Sequence, residues 1–162
     1  MGLLKGLNPL LTADLLHVLR SAGHGDKIIV VDCNFPAVEV ATKTTTGKCV
    51  QLAGADDVDA IDAICSVLPL DFFVEAPLGY MAPSAGIDLP PLGAEVHAKV
   101  IEAVNKHSDI LSKKPAQPIE RYQFYEQART GFAVVQTAER RPYGCFILTK
   151  GVVGPDGKDL IP

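Results

Sequence analysis

No apolar run in this chain approaches the roughly 18 to 20 residues that a helix needs to cross a bilayer. Near the N-terminus, Leu3-Leu4 and Leu10-Leu11 are interrupted by Lys5, Asn8 and Pro9. That stretch has neither the basic n-region nor the continuous h-region of a secretory signal, so a cytoplasmic protein with no membrane partner is expected. Positive charge is also lacking: 15 Lys and Arg stand against 19 Asp and Glu, a formal net charge of -4. Such a balance offers no electrostatic footprint for phosphate backbones or anionic lipid, which excludes nucleic acid as an expected partner. Charged residues make up only 21% of the chain while hydrophobic residues reach 48%, with a mean hydropathy of +0.19. A small domain this apolar is expected to bury part of its surface against other subunits.

Metal-ligand spacing is absent as well. The four cysteines, Cys33, Cys49, Cys65 and Cys145, form no CxxC pair, and the histidines form no HxH or HxxxH pair. Reduced thiols and no metal are therefore expected. A metal-dependent hydrolase using His24, Asp32 and His97 is the weakest of the alternatives, because His17 and His107 fall on predicted helices and no ligand pair remains.

The 162 residues have room for one domain, 1–162, and a domain of this size buries about 70% of the surface its unfolded chain exposes. Pro9, a possible N-cap at Thr12, and Leu11, Leu15, Val18, Leu19 and Ala22 at three-to-four spacing predict a helix that stops at Gly23. The run Ile28 to Val31 predicts a strand, and Cys49 to Leu52 a second, between Gly47 and Gly54. Asp56 can cap a helix carrying Val58, Ile61, Ile64 or Cys65, and Leu68 on one stripe. A further strand is expected near Phe72 to Glu75, a surface loop over Ser84 to Gly93, and helices over Ala94 to Lys106 and Ile119 to Ala128. Two β-rich runs, Phe132 to Thr137 and Cys145 to Thr149, close the chain on either side of a polar turn. Helices alternating with short apolar strands indicate an α/β layered domain with a largely parallel or mixed sheet.

Chemistry begins at Gly23-His24-Gly25-Asp26. His24 lies just past the expected end of the first helix, where the negative end of the helix dipole favours an imidazolium, and its glycine neighbours let a small polar molecule approach. It fits a proton donor; taken alone, it fits better a capping histidine in a Gly-rich turn, since Gly-x-Gly turns are common. Asp32 stands at the C-terminal end of an apolar strand, the edge on which open α/β sheets place ligands. It can hold a hydroxyl or orient an imidazolium, or it can form an Asx turn capping Asn34 ahead of Pro36. Eight extended residues span about 26 Å, so His24 and Asp32 meet only if the chain turns sharply at Gly23-His24-Gly25 or if a neighbouring subunit supplies one of them.

Further on, Arg121, Tyr125 and Arg129 are i,i+4 neighbours on one predicted helix face. A guanidinium beside a phenol suits polyhydroxylated or anionic ligands, while Glu126 paired with Arg129 would make an ordinary solvated face. Tyr143, in Pro142-Tyr143-Gly144, is either a binding tip or plain turn chemistry.

Taken in order, Gly23-His24-Gly25-Asp26, Asp32-Cys33-Asn34-Phe35-Pro36, Arg121-Tyr122-Gln123-Phe124-Tyr125-Glu126, Thr137-Ala138-Glu139-Arg140 and Tyr143-Gly144 make a specific set. In these motifs the chain resembles the L-fucose mutarotase and D-ribose pyranase family over nearly its whole length, most weakly between about 41 and 118. The resemblance implies an α/β core in a ring-shaped assembly of pentamers, usually a decamer, with a monosaccharide bound near subunit boundaries. It implies His24 as proton donor, Asp32 and Arg121 as sugar-binding residues, and Tyr143 as the tyrosine of the C-terminal site motif. Asp71, after Pro69-Leu70, would be a further sugar contact. Arg121 with the Phe-Tyr-Glu run is similar to the fucose branch. One position departs: the family motif reads Tyr-x-Asn, and this chain has Tyr143-Gly144-Cys145, whose thiol is a poor partner for sugar hydroxyls.

The implied activity is interconversion of sugar anomers by acid-base opening and closing of the ring, with no metal and no redox cofactor. His24 would protonate the ring oxygen, Asp32 or the Tyr143 phenol would accept or relay the anomeric proton, and Arg121 would fix hydroxyls. The alternative is a non-catalytic monosaccharide-binding accessory of a transport or utilisation system, using the same contacts.

Overall fold

The computed structural model describes residues 2–161. Twelve elements follow the sequence: α1 (Ala13–Ser21), β1 (Lys27–Val31), α2 (Ala37–Ala41), β2 (Cys49–Leu52), α3 (Asp57–Cys65), β3 (Leu78–Ala82), α4 (Pro91–Asn105), α5 (Ile110–Lys113), β4 (Gln117–Glu120), α6 (Arg121–Arg129), β5 (Ala133–Thr137) and β6 (Cys145–Thr149). The strands form one six-stranded sheet in the order β2-β5-β1-β6-β3-β4. β1 lies parallel to β5 (Ile28 opposite Ala133) and antiparallel to β6 (Val31 opposite Cys145), so the sheet is mixed, as expected.

Alternation along the strands explains why both faces are covered. Ile28, Val30, Ala133, Val135, Phe146 and Leu148 point to one side, where α1, α3 and α4 bring Leu15, Val18, Ile61, Ile64, Val96 and Val100. Ile29, Val31, Val134, Cys145 and Ile147 point to the other, against Val40 of α2 and Phe124 and Ala128 of α6. A central strand buried on both faces reads as an unbroken apolar run, which is what Ile28-Ile29-Val30-Val31 is.

α1 and α3 start as expected, with Thr12 accepting from the Leu15 N–H and Asp56 from the Asp59 N–H. At the far end of α1, the Lys150 ammonium donates to the carbonyls of Leu19 and Ala22 and so occupies the negative end of the helix dipole. The dipole that the sequence assigns to His24 is thus met by a lysine.

Several boundaries differ from expectation. Residues 72–75 form no strand; Asp71 Oδ1 accepts the Phe73 N–H at 3.0 Å in a tight Asx turn, and the strand follows at Leu78–Ala82. α4 begins at Pro91 inside the expected loop, since proline suits a first helical position. The predicted helix from Ile119 begins instead at Arg121, and Gln117–Glu120 is a strand. β4 tolerates Pro118 because it is an edge strand, paired on one side with β3. The two β-rich runs at the C-terminus do not pair with each other; β1 lies between them.

Candidate functional site

The five parallel-running strand ends and the start of β6 share one edge of the sheet, and the motif residues gather there. Asp32 follows β1, Met81 belongs to β3, Arg121 opens α6 directly after β4, and the turn 138–144 carries Tyr143 from β5 into Cys145 of β6. Together with Asn34, Phe35, Tyr125 and Pro142 they line an open cavity of about 220 Å3. That is room for a monosaccharide-sized ligand with bound water.

Asp32 is the buried polar floor of this cavity, only 7% exposed. Its Oδ1 accepts the N–H groups of Asn34 (2.9 Å) and Phe35 (3.0 Å), so the Asx turn and the cavity-lining carboxylate are the same object. Oδ2 lies 3.5 Å from Cys145 Sγ. Burial raises the carboxyl above its ordinary range, while those backbone donors and the thiol hold the rise down. The Cys145 thiol is pushed well up by burial and by the charge of Asp32, so it stays a thiol that donates to the carboxylate.

Arg121 is exposed, with its guanidinium 6.0 Å from the ring centres of Tyr122 and of Tyr125. Tyr125 in turn stacks on Phe35 at 5.0 Å and an interplanar angle of 8°. An aromatic wall thus steadies the cation that faces the cavity. As expected, Glu126 pairs with Arg129, at 2.9 Å, on the solvated side of the same helix.

Tyr143 is no ordinary turn residue. Its φ of 62° is the one positive value among non-glycine residues described, a conformation that bulky residues avoid and that surrounding contacts must enforce. Those contacts are visible. Buried His97 of α4 places Nε2 2.9 Å from the Tyr143 carbonyl, donating an N–H to it. Arg141 binds Glu139 through Nε (2.9 Å) and its terminal nitrogen (2.6 Å), and reaches Asp56 and Glu95 as well. Burial would raise Glu139, but the hydrogen bonds and charge of Arg141 more than offset it and hold the carboxyl below its usual range.

His24 and Asp71 are elsewhere. They lie at the opposite end of β1, about 16 Å of strand away from Asp32 by the usual rise of roughly 3.3 Å per residue. His24 Nε2 is 3.1 Å from Asp71 Oδ1; the histidine side chain is 51% exposed and that of the aspartate 2%. Phe73, also exposed, meets the imidazole edge-on at 5.7 Å. The Gly25 N–H donates to the Lys150 carbonyl, which ties this loop to the end of β6. The Gly-His-Gly turn therefore does not fold His24 onto Asp32 within one chain. Nor does Asp71 reach the cavity: its carboxylate is occupied by His24 and the Phe73 N–H.

His97 is engaged with the Tyr143 carbonyl, and among the described residues no group of three or more His, Cys, Asp or Glu could hold a metal ion. All four cysteines are free. Among the described residues no helix is long and apolar enough to cross a membrane. Met81 and Pro142 carried no signal in the sequence, because strand order alone brings them to the cavity.

A mixed α/β sheet with a carboxylate, a guanidinium and a strained tyrosine around a small open cavity at its strand ends has the chemistry that suits a small polyhydroxylated ligand. Comparison with known proteins narrows this. Residues 5–153 match the RbsD / FucU transport protein family, and the chain belongs to it. It is 34% identical over 150 residues to the L-fucose mutarotase of Actinobacillus pleuropneumoniae serotype 5b (93% of this chain, 97% of that one). It is 35% identical over 156 residues to the fucose mutarotase of Mus musculus, covering 94% and 97%. The crystal structure of the fucose mutarotase of Streptococcus pneumoniae in complex with L-fucose superposes with a TM-score of 0.80 at 30% identity, over 93% of this chain and all of that one.

Proposed function

We propose that this chain is a sugar mutarotase that interconverts the anomers of L-fucose or a related monosaccharide, without a cofactor. The observation that carries the proposal is the cavity in which Asp32, Arg121 and Tyr143 converge. Its relatives' activity and the likeness to an L-fucose complex support the same conclusion.

Mutarotation needs one acid and one base. The ring oxygen takes a proton as the bond from C1 to that oxygen breaks, and the anomeric hydroxyl loses its proton to give the open aldehyde. Rotation about C1–C2 presents the other carbonyl face, and the reverse proton transfers close the ring. Asp32, fixed by two backbone N–H groups, anchors a sugar hydroxyl; Arg121 supplies a fork of donors; the Tyr143 phenol relays the anomeric proton.

The acid is the missing part of the cavity. His24, half-exposed and backed by a buried carboxylate, is built to act on something outside its own chain. In our proposal it enters the cavity of an adjacent subunit in a ring of pentamers, two of which form a decamer, and the protein works in the cytoplasm. Asp71 then orients the imidazole and fixes its tautomer, rather than touching sugar. Positioned acid-base groups of this kind contribute about 10² to 10⁴ in rate, sufficient for a reaction that water already supports.

Saturation-transfer NMR across a panel including L-fucose and D-ribose tests the proposal, with His24→Ala and Tyr143→Phe beside the parent. Accelerated anomer exchange that falls sharply in both variants is expected. Binding without acceleration would instead identify a non-catalytic monosaccharide-binding accessory.

A further inference from the structure

Behind the cavity wall lies a carboxyl group that the reaction does not use. Asp57, the first residue of α3, is completely buried, and its Oδ2 has no hydrogen-bond partner. Its Oδ1 is 2.7 Å from Thr137 Oγ1 at the end of β5. That hydroxyl also lies 3.2 Å from the Val31 carbonyl, next to Asp32, and 3.1 Å from the Glu139 nitrogen at the start of the site turn.

Counting hydrogens assigns this network. The Glu139 N–H can only donate to Thr137 Oγ1. The Val31 carbonyl can only accept, and so can an ionised Asp57, so with Asp57 charged the one hydroxyl hydrogen of Thr137 serves only one of the two. With Asp57 protonated, the acid donates to Thr137, the hydroxyl donates to Val31, and all three contacts are made. We infer that Asp57 is a positioning residue for the substrate cavity: as a neutral acid it donates to Thr137 and so locks together the strand ends that carry Asp32 and Tyr143.

The surroundings agree. Glu139 faces Asp57 from the site turn, Asp32 from the end of β1, and Asp56 from the N-cap of α3, while the Arg141 guanidinium is committed to Glu139. A charged Asp57 would be a further anion without a cation. The helix N-terminus could favour a carboxylate, but that contribution is small beside the desolvation of a full charge, and the capping bond of α3 goes to Asp56. Burial pushes the Asp57 carboxyl well above its usual range; the Thr137 contact opposes this in part, and the nearby carboxylates of Glu139, Asp32 and Asp56 add to the rise. Packing completes the device: a Cβ at Gly144 would stand 2.6 Å from Asp57 Oδ2, so the residue between Tyr143 and Cys145 rests directly on this side chain.

This inference rests on the mutarotase proposal for its catalytic consequence. The test compares the parent with Asp57→Ala, Thr137→Val and Asp57→Asn, the last of which keeps a neutral donor. Asp57→Ala and Thr137→Val should lower kcat for anomer exchange by about tenfold to a hundredfold, and Asp57→Asn should recover most of that loss. Asp57→Asn as impaired as Asp57→Ala, or parental kcat in Asp57→Ala and Thr137→Val, would overturn the assignment. Two readouts do not depend on activity. Difference infrared spectra at neutral pH should contain a protonated-carboxyl C=O band in the parent that Asp57→Asn lacks; absence of the band from the parent overturns the neutral acid. Amide exchange across 138–145 should accelerate in Asp57→Ala and Thr137→Val but not in Asp57→Asn, and unchanged protection overturns the positioning role. A parent without anomer exchange would sink the mutarotase proposal, while these two measurements would still decide the role of Asp57.

Discussion

His24 Nε2 lies 3.1 Å from Asp71 Oδ1 at the edge of the sheet opposite the cavity that holds Asp32, Arg121 and Tyr143. The proposed acid, out of reach of its own chain's cavity, makes a prediction about mixtures. His24→Ala and Tyr143→Phe should each lack most anomer exchange alone. Co-refolded, they should regain part of it, because some boundaries then combine an intact His24 with an intact Tyr143. Mixing without any recovery would sink the cross-subunit arrangement. Asp71→Asn should lower kcat about tenfold or more with sugar affinity unchanged, as expected of a residue that orients the imidazole.

The histidine that does adjoin the cavity, His97, is buried and donates to the Tyr143 carbonyl. Burial lowers it from the usual imidazole value of 6.5, with the Tyr143 hydrogen bond opposing in part. A base depressed in the folded state binds its proton more weakly there than in the unfolded chain. Its contribution to stability is therefore complete above about pH 6.5 and declines as pH falls below it. Thermal unfolding followed from neutral to mildly acidic pH should show Tm falling more steeply in the parent than in His97→Gln. Parallel slopes would show that His97 does not stay neutral in the fold.

How much of this could be read from residues alone depended on how each element is buried. β1 was plain because Ile28–Val31 is covered on both faces, and α1 and α3 because Thr12 and Asp56 cap apolar stripes. β4 was hidden: Gln117, Pro118 and Glu120 look like loop, and only pairing of an edge strand with β3 makes them extended. Phe72-Phe73 looked like a strand because aromatic residues favour sheets, yet the Asp71 side chain captures the Phe73 N–H and turns the chain. Asp32, Arg121 and Tyr143 stood out through motif order. Asp57 did not, because an acid in a helix's first turn is ordinary until its burial is known.

Two glycines support the two halves of the proposed site, and alanine at each should fail differently. At Gly144 a Cβ would meet Asp57 Oδ2 at 2.6 Å and Glu139 Cγ at 2.8 Å, while at Gly151 it would press on the Leu70 carbonyl and stand 2.9 Å from Asp71 Cα. Each substitution should cost about 1 to 3 kcal/mol of stability, since the obstructing atoms belong to packed backbone or buried side chains. Gly144→Ala should also weaken sugar binding, whereas Gly151→Ala should lower kcat through the His24–Asp71 pair and leave affinity intact. Isothermal titration with L-fucose beside the exchange assay separates them; equal effects on both constants from both variants would contradict the division of labour.

Cys145 stands where the resembled motif has asparagine, and its thiol is aimed at Asp32 Oδ2 from 3.5 Å away. Burial is the larger influence on Asp32 and raises it; the Cys145 thiol is among the groups that pull it back. Removing the donor with Cys145→Ala therefore raises the Asp32 carboxyl further, and the acid limb of the pH profile for kcat/KM should move to higher pH. Cys145→Ser puts a stronger donor at the same place, so the limb should move to lower pH. Because the two changes are opposite in sign, a general packing defect cannot mimic both. Shifts in the same direction, or none, would mean that Asp32 is not the carboxylate whose ionisation the reaction requires.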